Sequence, residues 1–144
     1  MIKHAGWELV VRQGKVYIPQ IARTEGPYLA TEPVDVLDTS DRNAIEQSLL
    51  RAVERGNPVI PLPPRDAYPK YVLLKYANVK SLSAFERTAE HWQLEKTRDA
   101  YVIIPMLRAE RSSFVPDMEH SERFPLDTPI TAVIHRLLDL ALAV

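Results

Sequence analysis

Two segments of mainly apolar, β-forming residues near the start of the chain predict a β-hairpin. Residues 7–12 and 15–21 are rich in β-forming side chains, and they are joined by Gln13 and Gly14. Glycine at the second position of a two-residue turn adopts positive φ without strain, so the two segments are expected to pair antiparallel. Pro19 lies late in the second segment. Because proline has no N–H to donate to a neighbouring strand, we expect that side of the segment to be an edge.

The next periodic segment predicts a helix that packs on the sheet. Pro33 limits the strand before it to residues 34–37. The helix is expected to begin after Thr39 or Ser40 as N-cap and to end at Gly56, since glycine is favoured just after the last helical turn. Its apolar side chains share one face: Ile45, Leu49, Ala52 and Val53.

The end of the chain carries the clearest helical pattern. Thr128 is expected as the N-cap and Pro129 as the first helical residue, where the missing N–H of proline costs nothing. Apolar residues follow them at helical spacing: Ile130, Val133, Ile134, Leu137 and Leu138. This stripe predicts a helix that covers the same face of the sheet as the first helix.

Between these two helices the sequence predicts an irregular crossover and two short helical segments. Five prolines between residues 58 and 69 indicate a stiff connection inside one domain. Residues 71–76 favour a helical turn. Ser83 with Glu86 forms the capping-box pattern of a second short helix over residues 84–90.

Two further strands are expected after the short helices. Residues 91–97 alternate Trp92 and Leu94 with polar neighbours, and residues 100–110 hold a continuous apolar run typical of a central strand. Pro105 requires a bulge or an edge within that run. Strands joined by tight turns favour antiparallel pairing. The expected fold class is therefore α+β, with a single domain spanning all 144 residues, a mainly antiparallel sheet and helices packed against it.

Composition and charge narrow the function classes. The chain is 46% hydrophobic, enough for a core of its own, and it has no cysteine, which excludes disulfides and thiolate metal sites. It has 18 basic and 19 acidic side chains, whereas nucleic-acid binders usually have a basic excess, so we expect no nucleic-acid partner. No apolar run approaches about 20 residues and no signal-peptide pattern occurs at the N-terminus. We expect no membrane association and a cytoplasmic location.

No motif in the chain indicates a cofactor, a metal centre or an active site. The 4 glycines stand apart, so loops that hold nucleotide phosphates are missing, and no G-x-S-x-G nucleophile motif occurs. His91 and His120 with Lys96 or Lys75 have the residue types of a metal-free ribonuclease, but any chain of this length contains such a set by chance. We therefore expect no cofactor, no metal and no catalytic residues.

A local excess of acidic side chains lies between residues 110 and 127. Its carboxylates belong to Glu110, Asp117, Glu119, Glu122 and Asp127. Such a run is either a solvated loop or an acidic surface that attracts a basic partner. A hard cation is a further alternative, although the spacing lacks the glycine and terminal glutamate of a calcium loop. Phe114 lies within this segment and is either an interface anchor or part of the core.

A series of motifs runs through the second half of the chain. An A-x-V-K-S-x-x-x-F turn at residues 77–85 precedes a W-x-L strand at 92–94, an apolar strand at 101–107 and a proline-bearing helix entry at 128–129. In this order they resemble the immunity proteins of bacterial contact-dependent growth inhibition systems. The resemblance covers about half of the chain, residues 69–140.

The resemblance implies a cytoplasmic protein without catalytic residues, which binds and neutralises the C-terminal toxin domain delivered by a neighbouring cell. Some members of the family act against ribonuclease-like toxins. A nuclease presents a basic cleft to its substrate, so an inhibitor of that cleft is expected to offer carboxylates around an anchor residue. The candidate partner-binding residues are Glu110, Phe114, Asp117, Glu119 and Glu122. The alternatives are a small protein-binding adaptor module and a small hydrolase or ribonuclease.

Overall fold

One antiparallel sheet organises the chain in this computed structural model, which describes residues 3–109 and 113–143. The strands are β1 (Lys3–Arg12), β2 (Lys15–Ala22), β3 (Leu29–Asp38), β4 (Ala89–Thr97), β5 (Ala100–Ala109), β6 (Ser113–Pro116) and β7 (Glu122–Pro125). The helices are α1 (Arg42–Arg55), α2 (Leu73–Tyr76), α3 (Leu82–Glu86) and α4 (Ile130–Ala141). The sheet order is β3-β2-β1-β4-β5-β6, and β7 pairs with the other end of β5. The predicted α+β class is confirmed.

The main core lies between the sheet and the two long helices. α1 and α4 pack side by side on one face, as their apolar stripes predict. Their fully buried side chains include Ile45, Leu49, Val133, Ile134, Leu137 and Leu138. They meet inward-facing residues of the central strands, among them Leu9, Leu94 and Ile103. Each large aliphatic side chain buried in this way contributes about 1.5–3 kcal/mol.

The first long helix begins later than the sequence predicts. Its N-cap is Asp41, whose carboxylate accepts a hydrogen bond of 3.2 Å from the N–H of Ala44. The predicted caps Thr39 and Ser40 are therefore wrong, because the carboxylate satisfies the free N–H groups that either hydroxyl was expected to satisfy. The predicted end at Gly56 is confirmed, and its φ of 68° is one that glycine adopts without strain.

The last helix differs from its prediction by one residue. Pro129 occupies the N-cap position and Thr128 lies outside it, so the predicted cap at Thr128 is wrong. The apolar stripe itself is confirmed, since four of its five residues are buried. Within residues 3–109 and 113–143, no helix is long and apolar enough to cross a membrane.

The second short helix is capped by a different serine from the one predicted. Ser81 accepts a hydrogen bond of 3.1 Å from the N–H of Ala84, so the capping box assigned to Ser83 is wrong. The helix ends at Glu86, and the end of the predicted span 84–90 belongs to β4 instead. The side chain of Glu86 therefore does not cap the start of the helix, and it is buried instead.

The structure corrects one prediction about the first strands and narrows another. β3 covers ten residues rather than 34–37, because its register with β2 shifts between Pro19 and Gln20 and lets the strand continue past Pro33. β2 lies between β1 and β3, so the edge predicted at Pro19 is a local one and not an edge of the whole sheet. The paired stretch with β1 involves only the start of β2, up to Tyr17, and the missing N–H of Pro19 falls beyond it.

The turn chemistry of the strands follows the sequence. The hairpin between β1 and β2 turns through Gln13 and Gly14, with φ of 48° and 77°, as its two-residue connection predicts. Two strands, β7 and β6, pair with the same side of β5, and Pro105 lies in the gap between them. β7 pairs with β5 only up to Ile103, and β6 pairs with it only from Met106. The local edge predicted at Pro105 is confirmed.

The opposite face of the sheet is covered by α2, α3 and the proline-rich crossover. The crossover is fastened to the end of β2 by two backbone hydrogen bonds, from Arg23 to the carbonyl of Pro58 (2.8 Å) and from Ile60 to that of Arg23 (2.9 Å). A second apolar cluster forms beneath it: Val10, Tyr17, Leu73, Leu74 and Phe85. This cover buries polar side chains of β1 and β4 that would otherwise meet water.

Candidate functional site

Two neighbouring strands place polar side chains on the sheet face opposite α1 and α4. Between β1 and β4, Glu8 lies opposite Gln93, and Val10 lies opposite His91. Successive side chains of a strand point to opposite faces, and Leu9 belongs to the core under α1 and α4. Glu8, Gln93 and His91 therefore face α2 and α3. The side chains of Glu8 and His91 are only 11% and 13% exposed.

Glu8 is the centre of a hydrogen-bonded group on this face. Its Oε2 lies 3.2 Å from Nε2 of His91, and the hydroxyl of Tyr71 donates a hydrogen bond to Oε1. Burial, and then the nearby carboxylate of Glu8, raises the pKa of Tyr71 well above its ordinary value of 10.0. The phenol therefore keeps its proton at neutral pH and remains a donor to Glu8.

A cavity of about 350 Å³ opens above this group, and we call it the aromatic cup. Its lining consists of Tyr71, Leu82, Phe85, Glu86, His91, Gln93, Met106 and Phe114. These residues come from α3, β4, β5, β6 and the segment before α2. A mainly apolar lining with a few polar groups is typical of sites that bind small molecules or single side chains.

Edge-to-face contacts hold the aromatic walls of the cup. The rings of Tyr71 and Phe85 lie 5.8 Å apart at 72°, and Phe85 also meets Tyr17 at 6.2 Å. On the other side, Phe114 stands at 90° to the imidazole of His91, with 4.9 Å between ring centres. Each such pair adds about 0.5–1.5 kcal/mol to the effect of burial. The walls are therefore fixed by contacts within the protein.

Glu86 is a poorly satisfied polar group of the cup. The residue is 4% exposed, and its Oε1 has no hydrogen-bond partner within the described part of the chain. Burial raises the pKa of this carboxyl above its ordinary value, although the nearby Arg108 and His91 act in the opposite direction. An ionised carboxyl that is buried without enough donors destabilises the fold. Such a group in a cleft is characteristic of a functional site.

Glu86→Gln is expected to stabilise the protein at neutral pH by about 1 kcal/mol, because the amide avoids burying a charge. The pKa is raised in the folded state. The cost of the charge is therefore present above that pKa and absent below the ordinary value of 4.5, where the carboxyl is protonated in both states. Urea denaturation should show the gain shrinking as the pH falls through this range.

The control for this prediction is Glu90→Gln, an exposed position on β4. It removes the same charge without a burial cost, so its free energy of unfolding should match the wild type at each pH. A Glu86→Gln variant that is less stable than the wild type at neutral pH would show that the carboxylate has stabilising partners in the fold.

The residues predicted to bind a partner lie mostly on one segment that follows β5. Phe114 belongs to β6, Asp117 and Glu119 lie at the 3-10 turn after it, and Glu122 begins β7. Glu110 lies outside the described residues. Phe114 is half-buried at the rim of the aromatic cup, where its ring rests against His91.

Asp117 is held in place by its neighbours. Its N–H donates a hydrogen bond of 2.8 Å to the carbonyl of Pro105, and its Oδ2 lies 2.8 Å from Nδ1 of His120. The hydrogen bond to Asp117 raises the pKa of His120. Ligand atoms of Asp117, Glu119 and His120 lie within 4.8 Å of one another, an arrangement common among exposed acidic groups without a metal. It assigns no cation site by itself.

Glu122 is tied to α4 by a two-pronged ion pair. Nε and Nη2 of Arg136 donate hydrogen bonds of 2.7 and 2.8 Å to its two carboxylate oxygens. These bonds hold the pKa of Glu122 below its ordinary value. The pair fixes β7 against α4, so Glu122 has a structural role, and replacing it would disturb the fold as well as any interface.

Exposed apolar side chains lie beside the acidic residues. Leu107 of β5 is opposite Val115 of β6, and they are 53% and 42% exposed, while Met118 is 51% exposed. Together with Asp117 and Glu119 they form what we call the β6 surface. Grouped exposed apolar side chains of this kind are typical of protein-binding surfaces.

The structure separates His91 from Lys96, two members of the ribonuclease-like set considered from the sequence. His91 and Lys96 are separated by five positions along β4 and lie on opposite faces of the sheet. The ammonium of Lys96 lies 5.9 Å from the ring centre of Tyr101, and Lys75 forms an ion pair with Glu32. General acid–base catalysis needs its groups within reach of one substrate, which the placement of His91 and Lys96 does not give.

The polar side chains in and beside the aromatic cup cannot be recognised as a group from the sequence. Glu8 lies in a segment predicted only as a strand of the first hairpin, and the capping-box pattern gives Glu86 a different role. His91 next to Trp92 is interpreted as a packing residue. The alternation that places Glu8 on the second face is visible, but nothing local shows that α2 and α3 return to cover that face.

Comparison with known proteins gives a likeness of fold. No protein-family model and no curated protein matches the sequence. Among solved structures, the chain is similar to a protein of unknown function, NMB0488, from Neisseria meningitidis, with 13% identity and a TM-score of 0.69 over 96% of this chain and 93% of that one. It is also similar to a chain of the CdiA-CT/CdiI toxin and immunity complex from Yersinia pseudotuberculosis, with 12% identity and a TM-score of 0.67 over 98% of both chains.

The chain has a CdiI-like fold. This confirms, at the level of the fold, the resemblance indicated by the motifs in residues 69–140. The CdiI-like fold also includes the N-terminal hairpin and α1, for which the sequence offers no family motif. Because the sequence identities are only 12% and 13%, the comparison shows a similarity of fold alone.

Proposed function

We propose that this protein is a cytoplasmic immunity protein that binds and neutralises the C-terminal toxin domain of a contact-dependent growth inhibition effector. The observation that carries the proposal is the CdiI-like fold over 98% of the chain. The motif series in residues 69–140 supports the same family from the sequence. The similarity of fold is largely independent of these motifs, since the two sequences are only 12% identical.

We place the toxin-binding interface on the β6 surface. It combines exposed apolar side chains (Leu107, Val115 and Met118) with two carboxylates, Asp117 and Glu119. Apolar contact supplies most of the affinity of a protein interface, and charge supplies association rate and selectivity. An acidic surface suits a toxin with a basic cleft, so a nuclease is the toxin class we propose. Of the other residues predicted from the sequence, Phe114 lies in the aromatic cup, Glu122 begins β7, and Glu110, outside the described residues, stays a prediction.

Reversing the charges of Asp117 and Glu119 tests this placement. The double variant Asp117→Lys/Glu119→Lys should associate with the cognate toxin domain several-fold more slowly than the wild type at low salt. The difference should shrink as added salt shortens the screening length to about 8 Å. Association kinetics at two ionic strengths measure both effects. Glu122 is left unchanged because its pair with Arg136 stabilises the fold.

The matched control is Glu25→Lys/Glu54→Lys, which changes the net charge equally at exposed positions outside the β6 surface. It should slow association much less, and circular dichroism should show both variants folded. Equal slowing in the two variants would mean that only net charge matters. Unchanged rates in the β6-surface variant would move the interface elsewhere on the molecule.

A further inference from the structure

The aromatic cup is a formed binding site whose polar groups are unevenly satisfied. One carboxyl, that of Glu86, lines a cavity of about 350 Å³. Beside the cavity, Glu8 accepts a hydrogen bond from the hydroxyl of Tyr71, and its Oε2 lies 3.2 Å from Nε2 of His91. Glu86, at 4% exposure, retains an oxygen without a hydrogen-bond partner within residues 3–109 and 113–143. The cup therefore needs a hydrogen-bond donor that the described residues do not provide.

The walls define the rest of the occupant. Phe85 and Phe114 are held by edge-to-face contacts with Tyr71 and His91, which leaves an apolar space between the two sides. An anion is disfavoured there by the carboxyl of Glu86, and a purely apolar molecule would leave the oxygen of Glu86 unpaired. A flat cation satisfies both conditions, because its N–H groups pair with a carboxylate and its plane packs against aromatic rings.

We propose that the aromatic cup binds a planar organic cation of the amidine or guanidine type, with the cation on Glu86 and its apolar body between Phe85 and Phe114. The cation is either a free small molecule or the side chain of an arginine on a partner, since both present the same group. The site is separate from the β6 surface, and the inference does not depend on the proposed toxin partner.

The test compares probes that differ in charge. Benzamidine carries an amidinium on a flat ring, and benzamide has nearly the same shape without the charge. Titration of the full chain, followed by ¹⁵N-edited NMR, should show benzamidine binding with a dissociation constant on the order of 1 mM. It should shift the amide signals of residues around the cup. Benzamide should bind about tenfold or more weakly. Equal affinities, or no binding of benzamidine, would overturn the proposal.

Variants locate the cation within the cup. Glu86→Gln should reduce benzamidine affinity about tenfold and leave benzamide affinity unchanged, because the amide keeps the shape of the side chain. Glu90→Gln is the matched control, because it removes a carboxylate from an exposed position of β4. It should change the affinity of neither probe. Phe114→Ala should weaken both probes, since it removes one apolar wall. Unchanged benzamidine binding in Glu86→Gln would overturn the assignment of the cation to this carboxyl.

A third probe distinguishes the two sources of the cation. N-acetyl-L-arginine amide presents a guanidinium on an aliphatic stem with a peptide-like backbone. An arginine side chain of a partner is indicated if this probe binds more tightly than benzamidine, and a free aromatic cation if the order is reversed. In both cases Glu86→Gln must lower the affinity of whichever probe binds more tightly. A blocked arginine and benzamidine that are both insensitive to this change would contradict the proposal.

Discussion

Leu137→Asp is expected to unfold the protein. Leu137 is 1% exposed and lies where α4 meets the sheet. An unpaired carboxylate at this position costs several kcal/mol, and the lost leucine contacts add about 2–5 kcal/mol. Domains of this size have a total stability of about 5–15 kcal/mol. The variant should lack a cooperative thermal transition in circular dichroism and should be recovered mainly in the insoluble fraction.

Ala132→Asp is the matched control, because it places the same carboxylate on an exposed position of the same helix. It lies in the first turn of α4, where a negative charge favours the helix by about 0.3–1 kcal/mol. The control should melt at or slightly above the wild-type temperature. A Leu137→Asp variant as soluble and cooperative as this control would contradict the position of α4 in the core.

Local patterns in the sequence predict the long elements of this fold well. The hairpin, α1 and α4 each depend on residues close together in the chain, such as Gln13 and Gly14 in the turn or the stripe from Ile130 to Leu138. Errors at their ends come from side chains of similar chemistry competing for one place. Asp41 caps α1 in place of either neighbouring residue, and Ser81 caps α3 in place of Ser83. Short-range chemistry leaves such choices open by one or two positions.

Longer-range features escape the sequence because their cause lies in another element. β3 passes Pro33 only because its register with β2 shifts opposite Pro19 and Gln20. The same reason applies to the aromatic cup. Glu86, His91 and Phe114 come from α3, β4 and β6, and they line one cavity only because α2 and α3 return across the second face of the sheet. No local pattern contains that information.

The sequence predicts the candidate interface only in part. The acidic excess after β5 is visible in the sequence, and the structure groups Asp117 and Glu119 with exposed Val115 and Met118. It also separates Glu122 from that group by pairing the carboxylate with α4. Charge along a chain therefore predicts which segment to test, whereas the pairing of individual acids decides which substitutions are informative.

The proposed function predicts one binding event above all others. Under that proposal, the partner is the C-terminal toxin domain of a contact-dependent growth inhibition effector. Neutralising a toxin inside the cell requires a tight complex, so we expect a dissociation constant of about 10 nM or lower. A complex of this affinity should protect cells that express the toxin domain.

Isothermal titration of the purified chain with that toxin domain is the most direct test. The proposed function predicts a one-to-one complex in the nanomolar range, and no complex at micromolar concentration with a toxin domain from an unrelated system, since immunity rests on specific recognition. Equal affinity for both toxin domains would point to a general protein-binding module. No binding of the cognate toxin domain at micromolar concentration would contradict the proposed function.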